Sequence, residues 1–224
     1  MQFFEIPQLL TREEVAKARA ILNNAEFADG GTTAASIGPS VKQNLQVKPK
    51  PEVLKPVLDI IQGALMSHEA FTGAVFPRKL HLNINRYENG MHYGDHNDAA
   101  IVGHVANAVR TDVSFTIFLA EPSQYDGGQM VIQAPTGEVE VKLPAGDAIV
   151  YSGSTVHRVE PVTRGARLAT FGWAQSFVGD PTKREILAQL RRTRRAIIEA
   201  QPDAAYLSEL GNAYNNLMRL WAEN

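Results

Sequence analysis

The chain has 224 residues, of which 44% are AVILMFWYC, 21% charged and 8% aromatic, a composition that supports a buried core and excludes disordered and collagen-like chains. Twenty-two Lys and Arg against 24 Asp and Glu leave a net charge of −2, so no basic excess points to nucleic acid as a partner. There is no cysteine, which excludes disulfides, thiolate nucleophiles, Fe–S clusters and Cys-type zinc sites and leaves histidines and carboxylates as the candidate metal ligands.

In chain order, the opening Met1-Gln-Phe-Phe-Glu-Ile-Pro7 lacks the basic and apolar regions of a secretion signal. No apolar run approaches the roughly 18 to 20 residues that cross a bilayer, so the expectation is a cytoplasmic protein without membrane contact. Thr11-Arg-Glu-Glu14 is a capping-box pattern followed by Val15, Ala18 and Leu22, which predicts a helix over 12–23. A Gly, Ser and Thr-rich stretch at 29–40 reads as loop. Lys48-Pro-Lys-Pro51 then opens a second helical pattern with Val57, Ile60, Ile61, Ala64 and Leu65 on one side.

From Lys79 the period changes to two, with Leu80, Leu82 and Ile84 alternating with His81, Asn83 and Asn85. Strand-like runs follow at 112–119, 129–133, 138–143, 148–152, 156–162 and 167–175, separated by turn residues such as Tyr125-Asp-Gly-Gly128 and Pro144-Ala-Gly-Asp147. Short strands at this spacing with no helices between them argue for a sandwich or jelly roll and against a parallel α/β sheet. After Pro181 the pattern is helical again: a basic segment at 182–200, then Leu207, Leu210, Tyr214, Leu217 and Trp221 at three and four spacing. Two readings stand for these helices. Either both pack on the β core with a solvated arginine face, or they form a homodimer contact or meet an acidic partner. The fold class is therefore mostly β with flanking helices (α+β): an N-terminal helical support region at 1–78, a jelly-roll core at 79–178 and a C-terminal helical extension at 179–224.

The residues that carry chemistry lie in the core. His96 and Asp98 are two apart in Tyr87-Glu-Asn-Gly-Met-His-Tyr-Gly-Asp-His-Asn-Asp98, so on extended backbone both side chains leave one face and reach one ion. His157 lies near the end of the strand series. Two imidazoles and a carboxylate on one side of an octahedral ion are the facial triad of non-haem Fe(II) oxygenases, with positions left open for a chelating co-substrate and dioxygen. Ten residues past His157, Arg167 follows the Thr163-Arg-Gly165 turn; a guanidinium there binds a carboxylate bidentately within the same cavity. Trp173 lies six after Arg167, which puts it on the same face of a regular strand. Of the other histidines, His68 at a helix end and His81 on the polar parity of a strand read as hydrogen-bonded or exposed, His92 as a loop residue at the rim, and His104 as part of a loop over the site.

These motifs, together with Tyr125-Asp-Gly-Gly-Gln-Met130, Pro144-Ala-Gly-Asp-Ala-Ile-Val-Tyr151 and His157-Arg-Val-Glu-Pro-Val-Thr-Arg-Gly-Ala-Arg167, resemble the Fe(II)- and 2-oxoglutarate-dependent dioxygenases of prolyl 4-hydroxylase type, and within them the bacterial PKHD-type hydroxylases. The resemblance covers roughly 80–176 and extends to the helical tail. It implies a double-stranded β-helix core, His96, Asp98 and His157 as ligands of one Fe(2+), and Arg167 as partner of the distal carboxylate of 2-oxoglutarate. Tyr87 and Trp173 are implied as co-substrate and pocket residues, and L-ascorbate as reductant. The implied reaction couples decarboxylation of 2-oxoglutarate to succinate and CO2 with hydroxylation, by O2, of an unidentified substrate: a peptidyl or free amino acid, or an iron-uptake small molecule. The retained Asp98 favours hydroxylation over halogenation. Gly127-Gly-Gln129 stands where the family has Gly-Gly-Glu and reads as a turn and strand start. A cupin-like metalloenzyme and a non-catalytic iron or 2-oxoglutarate sensor remain as alternatives.

Overall fold

The computed structural model describes residues 3–31, 41–203 and 205–223; most of the loop expected at 29–40 lies outside the described residues. Along the chain run β1 (Phe3–Ile6), α1 (Arg12–Leu22), β2 (Phe27–Asp29), β3 (Lys42–Gln43), β4 (Leu45–Val47), α2 (Pro51–Ser67) and α3 (Glu69–Val75). There follow β5 (Pro77–Glu88), β6 (His92–His96), β7 (Ile101–Val102), β8 (Val109–Arg110), β9 (Val113–Phe118), β10 (Tyr125–Gly127), β11 (Met130–Ala134), β12 (Gly137–Val141), β13 (Ala148–Ser152), β14 (His157–Val159) and β15 (Val162–Ser176), and then α4 (Pro181–Ala200) and α5 (Tyr206–Trp221). No helix of the described residues is long and apolar enough to cross a membrane.

Among the described residues the strands form an eight-stranded sheet, ordered β1-β13-β9-β15-β5-β4-β2 with β10 on β15, and a five-stranded sheet, β12-β11-β14-β6-β3. A cluster of Phe118, Ile149 and Tyr151 from the large sheet with Met130, Ile132 and Val141 from the small one holds the two face to face, which is the expected jelly roll. The other face of the large sheet is covered by helices. Val15, Ala18 and Leu22 of α1, Val57, Ile61 and Leu65 of α2, and Phe71 and Val75 of α3 pack against Ile84, Val113, Phe115, Ile117 and Val150. Each such large side chain taken out of water contributes about 1.5–3 kcal/mol. The helix start at Thr11 follows from its chemistry: the Thr11 hydroxyl accepts from the Glu14 amide at 3.2 Å and the Glu14 carboxylate accepts from the Thr11 amide at 2.8 Å.

Two features differ from the sequence reading. The segment before residue 79 supplies strands as well as helices: β1 pairs antiparallel with β13, β4 extends the large sheet beside β5, and β3 pairs with β6 in the small one. These strands run two to four residues, too short to print a period. His92 also lies on β6 and not in a loop, because the main chain there is held between β14 and β3.

At the C-terminus, Tyr214, Leu217, Met218 and Trp221 of α5 pack against Phe76, Val178, Leu187 and Ala188, so the C-terminal part of the apolar stripe, past Leu207 and Leu210, packs within the chain. Two arginines of α4 form ion pairs: Arg192 with Glu185, and Arg195 with Glu69 and Glu199. Arg184 is not on a solvated face; it is buried and donates to the carbonyls of Val178 and Gly179.

Candidate metal centre and co-substrate pocket

Strand pairing assembles the first part of the site. β14 runs antiparallel to β6 with His157 opposite His96, which sets the two imidazole centroids 4.2 Å apart. Asp98 follows two residues after His96, its amide bonded to the Gly153 carbonyl at 3.3 Å. The result is a cluster in which ligand atoms of His96, Asp98 and His157 lie within 4.8 Å of one another.

Local hydrogen bonds aim these donors. Nδ1 of His96 lies 2.8 Å from the Gly94 carbonyl and Nδ1 of His157 lies 3.0 Å from the Thr155 carbonyl. A carbonyl only accepts, so Nδ1 carries the proton in both rings and each Nε2 presents a lone pair, the form a metal needs. Burial first, and then the neighbouring His157, lower the His96 pKa to about 4, which keeps that ring neutral at pH 7. Ser114 donates to Oδ2 of Asp98 at 2.6 Å, leaving Oδ1 for coordination. Tyr93 stacks on His96 at 3.5 Å and 14°, while Tyr151 stands edge-on to His157 with its hydroxyl 3.3 Å from Nε2.

The cluster opens into a cavity of about 780 Å³ lined by both sheets. Arg167 of β15 lies in it, directly opposite Tyr87 of β5 in register. Its guanidinium is 1% exposed, sits 5.4 Å from the Tyr87 ring and 5.2 Å from the Phe118 ring, and has no hydrogen-bond partner at Nε or Nη1. Such a buried charge is costly unless an anion meets it. The Tyr125 hydroxyl is likewise buried and lies beside the Arg167 guanidinium, close enough to feel its charge. Tyr87 receives Asn44 Nδ2 at 3.0 Å and Asn85 Nδ2 at 3.5 Å on its phenol oxygen, which leaves the phenol hydrogen to point elsewhere. Gly128, at φ +64, lets the turn after β10 close over Arg167: a Cβ there would stand 3.2 Å from the Arg167 Cδ and 2.8 Å from Val162.

The predicted site residues therefore meet. His96, Asp98, His157, Arg167, Tyr87 and Trp173 all line the one cavity, and Trp173 falls on the Arg167 face of β15 as the parity required. His81 differs from its expectation. The polar parity of β5 faces the cavity, where the His81 ring lies 5.7 Å from that of Trp173, because helices cover the opposite, apolar parity. His104 lines the mouth, and His92 lies outside the metal cluster. Ser114, Tyr93, Tyr125, Asn44 and Lys42 were not singled out by sequence reasoning. A signal did exist for Ser114, one of two hydroxyl residues in the otherwise apolar Val113-Ser-Phe-Thr-Ile-Phe118, since a polar residue in a fully buried strand needs a partner. Lys42, drawn toward Asp98 and Asp29, has a pKa lowered to about 8 by burial.

A jelly roll holding two imidazoles, one carboxylate and an anion-seeking guanidinium in one chamber defines a 2-oxoglutarate- and Fe(II)-dependent oxygenase, and the 2OG-Fe(II) oxygenase superfamily model matches residues 82–175. A prolyl 4-hydroxylase from Pseudomonas putida has the same fold, with a TM-score of 0.55 at 22% identity over 78% of this chain and 92% of that one. Likeness at the sequence level spans the whole chain. A PKHD-type hydroxylase of Hyphomonas neptunium is 43% identical over 221 residues, 97% of this chain and 98% of that protein. Another, from Picosynechococcus, is 41% identical over 222 residues, covering 99% and 100%. The chain belongs to the PKHD-type hydroxylases, oxidoreductases of the 2-oxoglutarate and Fe(2+) class.

Proposed function

We propose that this protein hydroxylates a C–H bond of a substrate, a peptidyl or free amino acid or an iron-uptake small molecule, with 2-oxoglutarate and O2 as co-substrates. His96, Asp98 and His157 would hold the iron through Nε2, one carboxylate oxygen and Nε2. The donor set suits the ion: borderline imidazoles with a hard carboxylate, on one side, with no thiolate in the chain. Iron(II) held there would supply, with 2-oxoglutarate and O2, the oxidising power for hydroxylation, with succinate and CO2 as co-products.

The chain's own part is positioning. Arg167 takes the distal carboxylate of 2-oxoglutarate as a charge-assisted fork, and the Tyr87 hydroxyl, with its oxygen occupied by Asn44, donates to the same anion. Trp173 forms a wall of the chamber. Burial of the Arg167 end keeps water from competing for that anion. L-ascorbate fits as the external reductant of iron that has lost an electron in an unproductive cycle. The observation that carries this reading is the guanidinium of Arg167, 1% exposed and without partners at Nε and Nη1, in the chamber of the metal cluster. Succinate formation with Fe(II) and 2-oxoglutarate tests it. His96→Ala is expected to abolish metal binding and turnover, and Arg167→Ala to raise the 2-oxoglutarate requirement with metal retained. Wild type that binds iron yet forms no succinate, coupled or uncoupled, would leave a sensor in its place.

A further inference from the structure

Directly after the ligand Asp98 the chain forms a hairpin at the mouth of the chamber, where Ile101, Val102 and His104 belong to the lining. Little inside the hairpin holds it in place. Its strands β7 and β8 pair at two positions, Ile101 with Arg110 and Val102 with Val109, and of residues 101–110 only Val109 is buried. Ile101 and Val105 are 65% and 99% exposed. A two-stranded hairpin without an apolar face is marginal in water, so its position rests on what anchors its base. Part of that anchor is local: the Thr111 hydroxyl donates to the Ala99 carbonyl at 2.7 Å and the Thr111 amide to the Ala100 carbonyl at 3.1 Å.

Arg110, at the end of β8, carries the rest of it outward. Its guanidinium forks onto Asp112, Nε to Oδ1 at 2.6 Å and Nη2 to Oδ2 at 2.9 Å, and its Nη1 lies 2.6 Å from Glu223 Oε2. Glu223 is itself fixed. Its amide donates to the Phe177 carbonyl at 2.7 Å, and Trp221, two residues earlier, packs in the cluster of Phe76, Val178 and Leu187. Gly179 leaves room for the pair, since a Cβ there would stand 2.8 Å from Arg110 Nη2 and 2.9 Å from Glu223 Oε1. A charge pair thus joins a firmly packed segment to a loosely packed one.

We propose that Arg110 and Glu223 are positioning residues through which the segment after α5 holds the 99–111 hairpin over the mouth of the chamber, so that part of the substrate-side wall is kept in place from outside the jelly roll. The proposal rests on the dioxygenase reading for what the chamber holds and gives the C-terminal helices a part in it. Regions held by few buried contacts open locally at low cost, and a tether at the base of the hairpin acts on that opening.

Hydrogen–deuterium exchange of full-length, Zn(II)-loaded protein, read by mass spectrometry on peptides covering 100–111, tests this. Glu223→Gln is expected to speed exchange there about two- to fivefold, the size of one exposed ion pair, while the amides of β9, β13 and β15 keep their wild-type rates. Glu223→Lys, which sets a cation against Arg110 and the nearby Arg184, should exceed that, and Glu223→Asp should fall between wild type and Glu223→Gln. In an Arg110→Gln background Glu223→Gln should add nothing further, because the pair it breaks is already gone. Should Arg110→Gln fail to fold, as judged by thermal melting, Arg110→Lys replaces it, and the effect of Glu223→Gln should then be smaller than in wild type. Titration of 2-oxoglutarate into the same metal-loaded wild type keeps the two readings apart: if it does not bind, the dioxygenase reading fails, and the exchange rates still decide the anchor. Unchanged exchange at 100–111 in Glu223→Gln and Glu223→Lys, faster exchange shared equally by β9, β13 and β15, or a full effect of Glu223→Gln in the absence of Arg110 each overturns the proposal.

Discussion

Ser114 touches no position where substrate or co-substrate would sit, yet its removal should be felt at the metal. Its hydroxyl, 1% exposed, donates to Oδ2 of Asp98 at 2.6 Å, a hydrogen bond to a charged acceptor worth about 1.5–3 kcal/mol. In Ser114→Ala that oxygen loses its donor, and the carboxylate is free to rotate or to present both oxygens to the ion. If most of this energy serves to hold Asp98 in its ligating pose, the metal dissociation constant should rise roughly 10- to 100-fold, the range found when a residue that orients a metal ligand is removed. Calorimetric titration of Zn(II) or anaerobic Fe(II) into wild type and variant measures it, and thermal unfolding of the metal-free forms separates a fold defect from a ligand defect. Asp98 can be tested in the same series: Ser114→Thr, which keeps the hydroxyl, should restore most of the affinity. A change of less than about threefold in Ser114→Ala, with unfolding temperatures matched, would mean that backbone geometry alone aims Asp98, and the reasoning from the 2.6 Å bond would be wrong.

Arg167→Ala should weaken 2-oxoglutarate binding to the metal-loaded protein by 30-fold or more, from the roughly 2–5 kcal/mol lost when one partner of a buried charge pair is truncated; Arg167→Lys should lose less, and equal affinities in calorimetry would remove Arg167 from the anion site. Gly128→Ala forces a side chain into φ +64 with Val162 Cγ2 at 2.8 Å and Arg167 Cδ at 3.2 Å. Strain and crowding of about 2–4 kcal/mol predict a fall in Tm of roughly 5–15 °C by calorimetric melting, and an unchanged Tm would show that the turn has room to give. Without metal, stability should depend on pH through His96. Its folded pKa is lowered to about 4 from 6.5, so between those values the unfolded chain binds the proton that the folded chain refuses, and stability falls as pH drops through that window. Melting temperatures of metal-free wild type and His96→Asn across pH 4 to 7 should show the steeper slope in wild type, and parallel slopes would refute the assignment.

How far the sequence exposes the site depends on the range of the interactions that make it. The His96 and Asp98 pair, the capping box at Thr11 and the parity of Trp173 with Arg167 are local patterns, and each appears in the structure where the spacing placed it. The β5 alternation was readable too, but not which parity is wet. His81 was expected to be hydrogen-bonded or exposed, whereas helices α2 and α3 cover the apolar parity and leave the polar one, His81, Asn83 and Asn85, to line the chamber. Alternation reports that two environments differ, not which of them is outside the protein. Lys42 was beyond reach for a further reason. It sits on a two-residue strand, and its place beside the metal cluster depends on pairing with Tyr93, fifty-one positions later in number.

The same contrast explains why the centre can be rigid before any ligand arrives. Both histidines are held by the carbonyl two residues before them, Gly94 for His96 and Thr155 for His157, on strands whose register sets one opposite the other. The tautomer is thus settled by extended backbone, and the distance between the rings by the β6–β14 pairing, with no contribution from an ion. Tyr87 is handled in the same manner: Asn44 occupies its oxygen from β4's leading edge while strand pairing places it across from Arg167. Groups so held lose little further freedom on binding, so the interaction with metal and anion is offset by less ordering entropy. In the chamber, Nε and Nη1 of Arg167 are left without hydrogen-bond partners. A sheet that spends its backbone hydrogen bonds on register and leaves these two nitrogens unsatisfied carries a cost of the empty site that binding of an anion relieves.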